Sequence, residues 1–305
     1  MPTRRDAVTL IRAAESVAEG FALAWLPERW WAPAVRARIA WPARLRGRER
    51  PPVAVTRELD SWPGLTIAEK RWADRRLEHL PSLRAYRPGG WRPPIDAAGL
   101  EHLDNALREG RGAVLWVPMF HCSTWVAKDA LHRRGYQVSH LSNAGHGLGQ
   151  GWPYKRWFNR LRTRQEERNL RERVTFSGSP VNAVRAIRKR LDHGGLVSIT
   201  LRQSATTVVT LPFYDRTFSV PLGPIRIAAG ARAPLLALMA VRKPDGRYAV
   251  TVEPDLLTAP GGSRRSPEEA AAALVALLTD YCSRYPGQLG GLFNPEALLQ
   301  REPPP

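Results

Sequence analysis

Short apolar runs alternate with longer segments of helical periodicity along most of this chain, and this alternation constrains the fold more than any other feature. Strands that alternate with helices form a mostly parallel or mixed sheet with helices on both faces. The sequence therefore predicts an α/β fold, with a mixed, largely parallel sheet covered by helices. The runs expected to form strands are GAVLWVP, YQVSHL, VTF, LVSIT, TTVVTLPFYD, APLLALMAV and YAVTVEP.

The segments between these runs carry the periodicity and the end signals of helices. Ser266, for example, is a suitable N-cap for a helix over the alanine-rich segment that follows it. The other predicted helices are Thr66 to Leu80, IDAAGLEHLDNALREGRG closing at Gly110, TWVAKDALHRRG, WPYKRWFNRLRTRQEERNLRER, SPVNAVRAIRKRLDHGG and VPLGPIRIAAGA.

The composition limits the compartment and the partners. The formal net charge of +18 over 305 residues favours polyanionic partners, namely nucleic acid, anionic lipid surfaces or phosphate-bearing substrates. Nucleic acid ranks last, because the sequence contains no helix-turn-helix, zinc or RNA-binding signature. The two cysteines, Cys122 and Cys282, do not make a disulfide framework and fit a reducing compartment.

Residues 1–50 are predicted to form a membrane-associating amphipathic helical segment, and residues 51–305 a single α/β domain. The charges at Arg12, Glu15 and Glu19 exclude a spanning helix, which needs about 20 mostly apolar residues. The segment can pack on the protein or lie in a membrane interface, which indole rings favour. Its apolar stripe consists of Leu10, Ala14, Val17, Phe21 and Trp25.

One histidine stands where a fold of this type presents catalytic groups. In the stretch VLWVPMFHCSTWVAKDAL, an apolar strand ends in a turn that contains His121, and a helical pattern follows. A histidine at a strand–helix turn is a candidate general base.

This order of pieces resembles the bacterial lipid A late acyltransferases of the lysophospholipid acyltransferase superfamily. HCSTW resembles the family's H-F-x-N-W-E block, and ITLRQSATTVVTLPFYDRTFSVPLG resembles its block of strand, D-Q and V-P-F-F-G-like run. The resemblance covers roughly Leu100 to Asp255. It implies acyl transfer from a carrier thioester, acyl-ACP or acyl-CoA, to a hydroxyl on a lipid acceptor. It also implies a peripheral or monotopic location at the cytoplasmic face of the inner membrane.

In this family the histidine is the base, and an acid five residues on orients it. The chain departs from that pattern at two positions. Val126 stands in place of the motif acid, and Arg202 in place of the acid of the second block, although Gln203 is kept. The nearest acid is Asp129, about one helical turn beyond Val126, and a bond from it to His121 requires an irregular helix start.

Three hypotheses for His121 follow. It is a base assisted by another acid, such as Asp129, or by a backbone carbonyl. Alternatively, Cys122 is a nucleophile and His121 its partner. In the third, His121 is a structural residue of a catalytically inactive homologue that binds acyl chains or lipids.

Cationic side chains are the candidates for binding the substrate. Arg156, Arg160 and Arg164 share one face of the long basic helix, and this face is either solvated or a docking surface for the carrier, coenzyme A phosphates or anionic lipid. Arg202, followed by Gln203, is expected to attract a carboxylate or phosphate at a strand end. No metal ligands at suitable spacing and no phosphate-binding loop are found, so neither a metal nor a cofactor is predicted.

Overall fold

A seven-stranded sheet forms the centre of the computed structural model, which describes residues 18–46, 67–86, 91–143, 159–176, 180–201, 207–214, 216–290 and 299–300. The sheet has the order β1-β9-β8-β2-β5-β3-β4. Strands β8, β2, β5, β3 and β4 run parallel, whereas β9 is antiparallel to β8 and β1 is parallel to β9. The predicted mixed, largely parallel α/β sheet is therefore confirmed. Its strands are β1 (Ile95–Ala98), β2 (Ala113–Val117), β3 (Val138–Asn143), β4 (Glu172–Phe176), β5 (Leu196–Thr200), β8 (Leu235–Arg242) and β9 (Tyr248–Asp255).

A second, antiparallel sheet holds the remaining described strands, in the order β10-β7-β6. They are β6 (Val208–Phe213), β7 (Arg216–Pro221) and β10 (Leu299–Gln300). The sequence predicts β6 but not β7. Pairing with β6 gives β7 its conformation, and that pairing has no local signal.

The described helices lie on both sides of the large sheet and at its carboxyl edge. Ser266 caps α9 as predicted, because its side chain accepts the backbone N–H of Glu269 and the Glu269 side chain accepts the backbone N–H of Ser266. The helices are α1 (residues 18–25 of a segment whose start is not described), α2 (Trp31–Arg46), α3 (Ile67–Arg84), α4 (Leu100–Arg108), α5 (Lys128–His132), α6 (Asn159–Glu167), α7 (Pro180–Asp192), α8 (Gly223–Ala231) and α9. The last, α9, spans Pro267–Arg284.

Strand pairing shortens three predicted helices. The helix expected from Val220 begins only at Gly223, because Val220 and Pro221 belong to β7 and pair with β6. The prediction of a helix from Ile95 onward is wrong over β1, which pairs with β9. Gly99 then turns the chain into α4 with a φ of 71°, and a Cβ there would lie 1.9 Å from the carbonyl oxygen of Val252. The basic helix is likewise not helical at its end, because Glu172 starts β4 and pairs with Ser139 of β3.

The N-terminal helices pack into the rest of the protein. Val35 and Ile39 of α2 belong to the apolar core that also contains the sheet residues Val114 and Trp116. Helix α2 extends to Arg46. Within the described part of the chain, no helix combines the length and the apolar character needed to cross a bilayer.

Candidate active site

A cavity of about 650 Å³ lies at the carboxyl ends of β2 and β8. Its wall is built from α2, α3, the turn after β2, the loop between β8 and β9, and the segment that follows α9. Trp31, Leu77 and Tyr248 contribute apolar surface, and His121 and Cys122 contribute the polar groups of the turn. Ligands in open α/β sheets bind at this edge, and the volume is that of a small-molecule site.

His121 is held by a turn of unusual geometry. Three residues separate it from the end of β2, and a π-helical turn over Ser123–Ala127 follows it before α5 begins. Single π turns occur frequently at functional sites. The backbone N–H of His121 donates to the carbonyl oxygen of Gln288 at 2.9 Å, which fixes the turn against the segment after α9.

The imidazole ring has one nitrogen in contact with two oxygen atoms. Nε2 of His121 lies 3.1 Å from the carbonyl oxygen of Gly287 and 3.5 Å from Oδ1 of Asp74. The His121 side chain is 13% exposed and that of Asp74 is 8% exposed, so this contact is shielded from water. A neutral ring that donates Nε2–H to Gly287 leaves Nδ1 as the nitrogen that can accept a proton.

The segment after α9 covers the Nδ1 side of the ring. The N–H of Gly290 donates to the carbonyl oxygen of Met119 at 2.6 Å, and Leu289 forms an isolated β-bridge with Phe120. A Cβ at Gly290 would lie 2.9 Å from the Met119 oxygen and 3.5 Å from Nδ1 of His121. Glycine at position 290 therefore lets the backbone approach the ring closely. Nδ1 itself has no hydrogen-bond partner among the described residues.

Neither the motif position, Val126, nor the nearest acid in the sequence, Asp129, offers a carboxylate to His121. Val126 is fully buried in an apolar cluster with Trp91 and Leu103. The helix after His121 does start irregularly, as a bond to Asp129 would require, yet the carboxylate of Asp129 binds Arg133, with Oδ1 accepting from Nε at 3.0 Å. The carboxylate at ion-pair distance from His121 belongs to Asp74 of α3, which the sequence interpretation missed.

The thiol of Cys122 is buried and hydrogen-bonded to the backbone. The thiol donates to the carbonyl oxygen of Ala240 at 3.1 Å, and burial raises its pKa to about 12. A thiolate is the nucleophilic form of cysteine. The surroundings of Cys122 disfavour that form, and so they argue against the nucleophile hypothesis.

The predicted substrate-binding arginines lie elsewhere. Arg160 and Arg164 are exposed on α6, and neither belongs to the described wall of the cavity. Arg156, Arg202 and Gln203 fall outside the described residues. Their roles remain predictions from the sequence.

Cationic side chains other than the predicted arginines line the cavity. Its described wall contains four cationic side chains and a single carboxylate, that of Glu28. Arg242 is the last residue of β8, and its nearest charge partner, Oε2 of Glu28, is 3.9 Å away. A charged pair directly after a predicted strand is a signal that sequence reasoning could have used. The four cations are Arg36, Arg242, Lys243 and Arg284.

Glu28 ties the N-terminal segment to the cavity wall. It lies in a 3-10 turn just before α2, and its carboxylate accepts the Nε1–H of Trp91 and the phenolic O–H of Tyr248, both at 2.7 Å. Burial, followed by the charge of Glu28, raises the pKa of Tyr248, so the phenol remains a donor. This pair of bonds positions Trp31 and Arg36 at the cavity.

Comparison with known proteins identifies a relationship for most of the chain. Residues 70–288 match the family described as bacterial lipid A biosynthesis acyltransferase. The match includes Asp74, His121, Arg242 and Gly287, whose carbonyl oxygen contacts the imidazole ring. A search of curated proteins finds no match.

Proposed function

The chain belongs to the bacterial lipid A biosynthesis acyltransferase family, and we propose that it moves a fatty acyl group from a carrier thioester, acyl-ACP or acyl-CoA, to a hydroxyl or amine of a lipid acceptor. The observation that carries this proposal is the position of His121. Its ring lies in the wall of a largely apolar cavity of about 650 Å³ at the carboxyl edge of the sheet. An apolar cavity suits an acyl chain, and a histidine in its wall suits a general base.

The proposed reaction needs one base and no bound cofactor. The acceptor oxygen or nitrogen forms a bond to the thioester carbonyl carbon, and the C–S bond breaks after the tetrahedral intermediate. His121 takes the acceptor proton and returns a proton to the leaving thiolate, so the enzyme ends in its starting state. Positioned proton transfer of this type contributes roughly 10²–10⁴-fold to a rate.

The cations of the cavity support an anionic donor. Acyl-ACP and acyl-CoA both carry phosphate next to the pantetheine arm, and guanidinium groups bind phosphate through paired N–H donors. Arg242 is suited to this role, because its guanidinium lies in the wall and its Nε has no hydrogen-bond partner among the residues described. An anionic group of the acceptor would use the same chemistry.

A location at the cytoplasmic membrane face is part of the proposal. Trp25, Leu26 and Trp30 expose 55%, 38% and 52% of their surface, and Trp30 directly precedes the cavity residue Trp31. Indole rings next to a cation such as Arg29 are typical of residues that sit among lipid headgroups. The cavity would then open near the lipid from which the acceptor comes.

The test is the mass of the acceptor after incubation with an acyl thioester. Wild type is expected to add one acyl group to a lipid acceptor, and His121→Gln is expected to slow this by about 10²–10⁴-fold. Cys122→Ala is the matched control in the adjacent residue and should retain transfer, with no acyl-enzyme thioester trapped. Binding of the acyl thioester without transfer by wild type would instead favour the inactive, acyl-binding homologue, which the absence of the acid at Val126 suggests.

A further inference from the structure

The family motif requires a carboxylate beside the histidine, and in this chain the motif position cannot provide one. Val126 is fully buried among apolar side chains, and the carboxylate of Asp129 binds Arg133. A base that forms an imidazolium inside a shielded site nevertheless gains from a nearby negative charge. The negative charge must then come from another of the described residues around His121.

The position of Asp74 makes it the source of this negative charge. It lies on α3, whose Leu77 and Pro81 line the cavity, and residues spaced by three, four and seven share one helix face. Oδ1 of Asp74 is 3.5 Å from Nε2 of His121, and both side chains are almost buried. The face of α3 that closes the cavity therefore also brings a carboxylate to the ring.

We propose that Asp74 replaces the missing motif acid as the positioning residue of His121. The proposal rests on the proposed acyl transfer for its role in catalysis. When the ring takes the acceptor proton, it becomes an imidazolium whose Nε2 lies 3.1 Å from the carbonyl oxygen of Gly287 and 3.5 Å from Oδ1 of Asp74. The Asp74 carboxylate stabilises that charge, while the Gly287 carbonyl fixes the tautomer in the neutral state. In the serine-protease triad a single carboxylate performs both tasks, and that geometry recurs with different orders of the residues in the chain.

The test compares two carboxylates. Asp74→Asn keeps the size of the side chain and removes its charge, and we expect kcat to fall by about 10²–10⁴-fold with the KM of the donor changed by less than about threefold. The low-pH limb of the kcat profile should move to lower pH, because the imidazolium loses its stabilising charge. Asp129→Asn, on a neighbouring helix, is the matched control and should leave both kcat and the profile near wild type. Asp74→Glu should recover part of the activity.

A second measurement separates this inference from the proposed function. Nitrogen-15 spectra of the His121 ring, recorded against pH in the full-length protein, report protonation without any turnover. The ring should gain its second proton at lower pH in Asp74→Asn than in wild type, even if no acyl transfer is found. Equal titration in both proteins would overturn the inference. A loss of kcat with unchanged titration would also overturn it, since Asp74 would then act only through the fold.

Discussion

The carboxylate beside His121 comes from a different part of the chain than the family motif would place it. The ring contacts a carbonyl oxygen at 3.1 Å and a carboxylate oxygen at 3.5 Å, and neither group lies in its own helix. Supplying the acid from α3 makes the orientation of the base depend on the packing of that helix. The valine at the motif position is then part of the core, in the apolar cluster that also contains Trp91.

Restoring the motif acid should therefore damage the protein. Val126→Asp would place a carboxylate in a fully buried apolar cluster, and we expect the free energy of unfolding to fall by about 3–5 kcal/mol, without a gain in acyl transfer. Urea denaturation measures this loss. Val184→Asp, at a 41% exposed valine of α7, is the matched control and should change stability by less than about 0.5 kcal/mol. Unchanged stability with faster transfer in Val126→Asp would mean that this position faces the ring.

The sequence predicts the position of His121, the candidate base, but not the carboxylate beside it, and the reason is physical. A strand that ends in a turn has a local signature, and so His121 could be assigned to the carboxyl edge of the sheet. Asp74 sits in an ordinary polar helix, and only tertiary packing brings that helix to the turn. The identity of the acid is therefore a property of the fold rather than of a motif.

Among the secondary structure elements, the 3-10 turn over Glu28–Trp30 connects the N-terminal helices to the site. Its carboxylate accepts two buried donors, from Trp91 and Tyr248, which lie just before β1 and at the start of β9. The position of α2 against the cavity depends on these bonds. Hydrogen bonds to a charged group contribute about 1.5–3 kcal/mol each, more than most surface contacts.

Removing one donor should loosen the N-terminal segment selectively. Tyr248→Phe is expected to lower the free energy of unfolding by about 1.5–3 kcal/mol, because the partly buried carboxylate of Glu28 loses a partner. Hydrogen exchange should then rise first in α2. Tyr136→Phe is the matched control, since its phenol donates to Asp104 at the same 2.7 Å in an exposed pair and should cost less. Uniform exchange changes across the molecule would contradict an anchoring role.

Local sequence patterns predict most elements of this fold where they reflect burial. They fail where backbone pairing between strands determines the secondary structure. The runs that form β2, β5 and β8 are apolar, and the sequence predicts all three. The run IDAA has no such character, and it becomes β1 because the edge of β9 offers backbone partners. Similarly, Glu172 and Arg173 leave the predicted basic helix to pair with β3.

Considering the entire molecule, the positive charge and the exposed indoles point to the same kind of surface. A net charge of +18 attracts anionic lipid, and Trp25, Leu26 and Trp30 expose apolar area close in sequence to the cavity residues Trp31 and Arg36. Apolar insertion and charge attraction together give reversible binding at a membrane interface. Deleting residues 1–50 would not isolate this effect, because Val35 and Ile39 belong to the core.

Point substitutions on the exposed patch test membrane binding without disturbing that core. The triple variant Trp25→Ser, Leu26→Ser, Trp30→Ser should bind vesicles containing anionic phospholipid at least about tenfold more weakly than wild type in a flotation assay, because the apolar area that inserts is lost. Raising the salt concentration should weaken binding of the wild type further, since the charges are screened. The matched control is Val181→Ser with Val184→Ser, which removes exposed apolar side chains from α7 and should float like wild type. Equal flotation of the triple variant and the wild type would show that the patch does not contribute to binding.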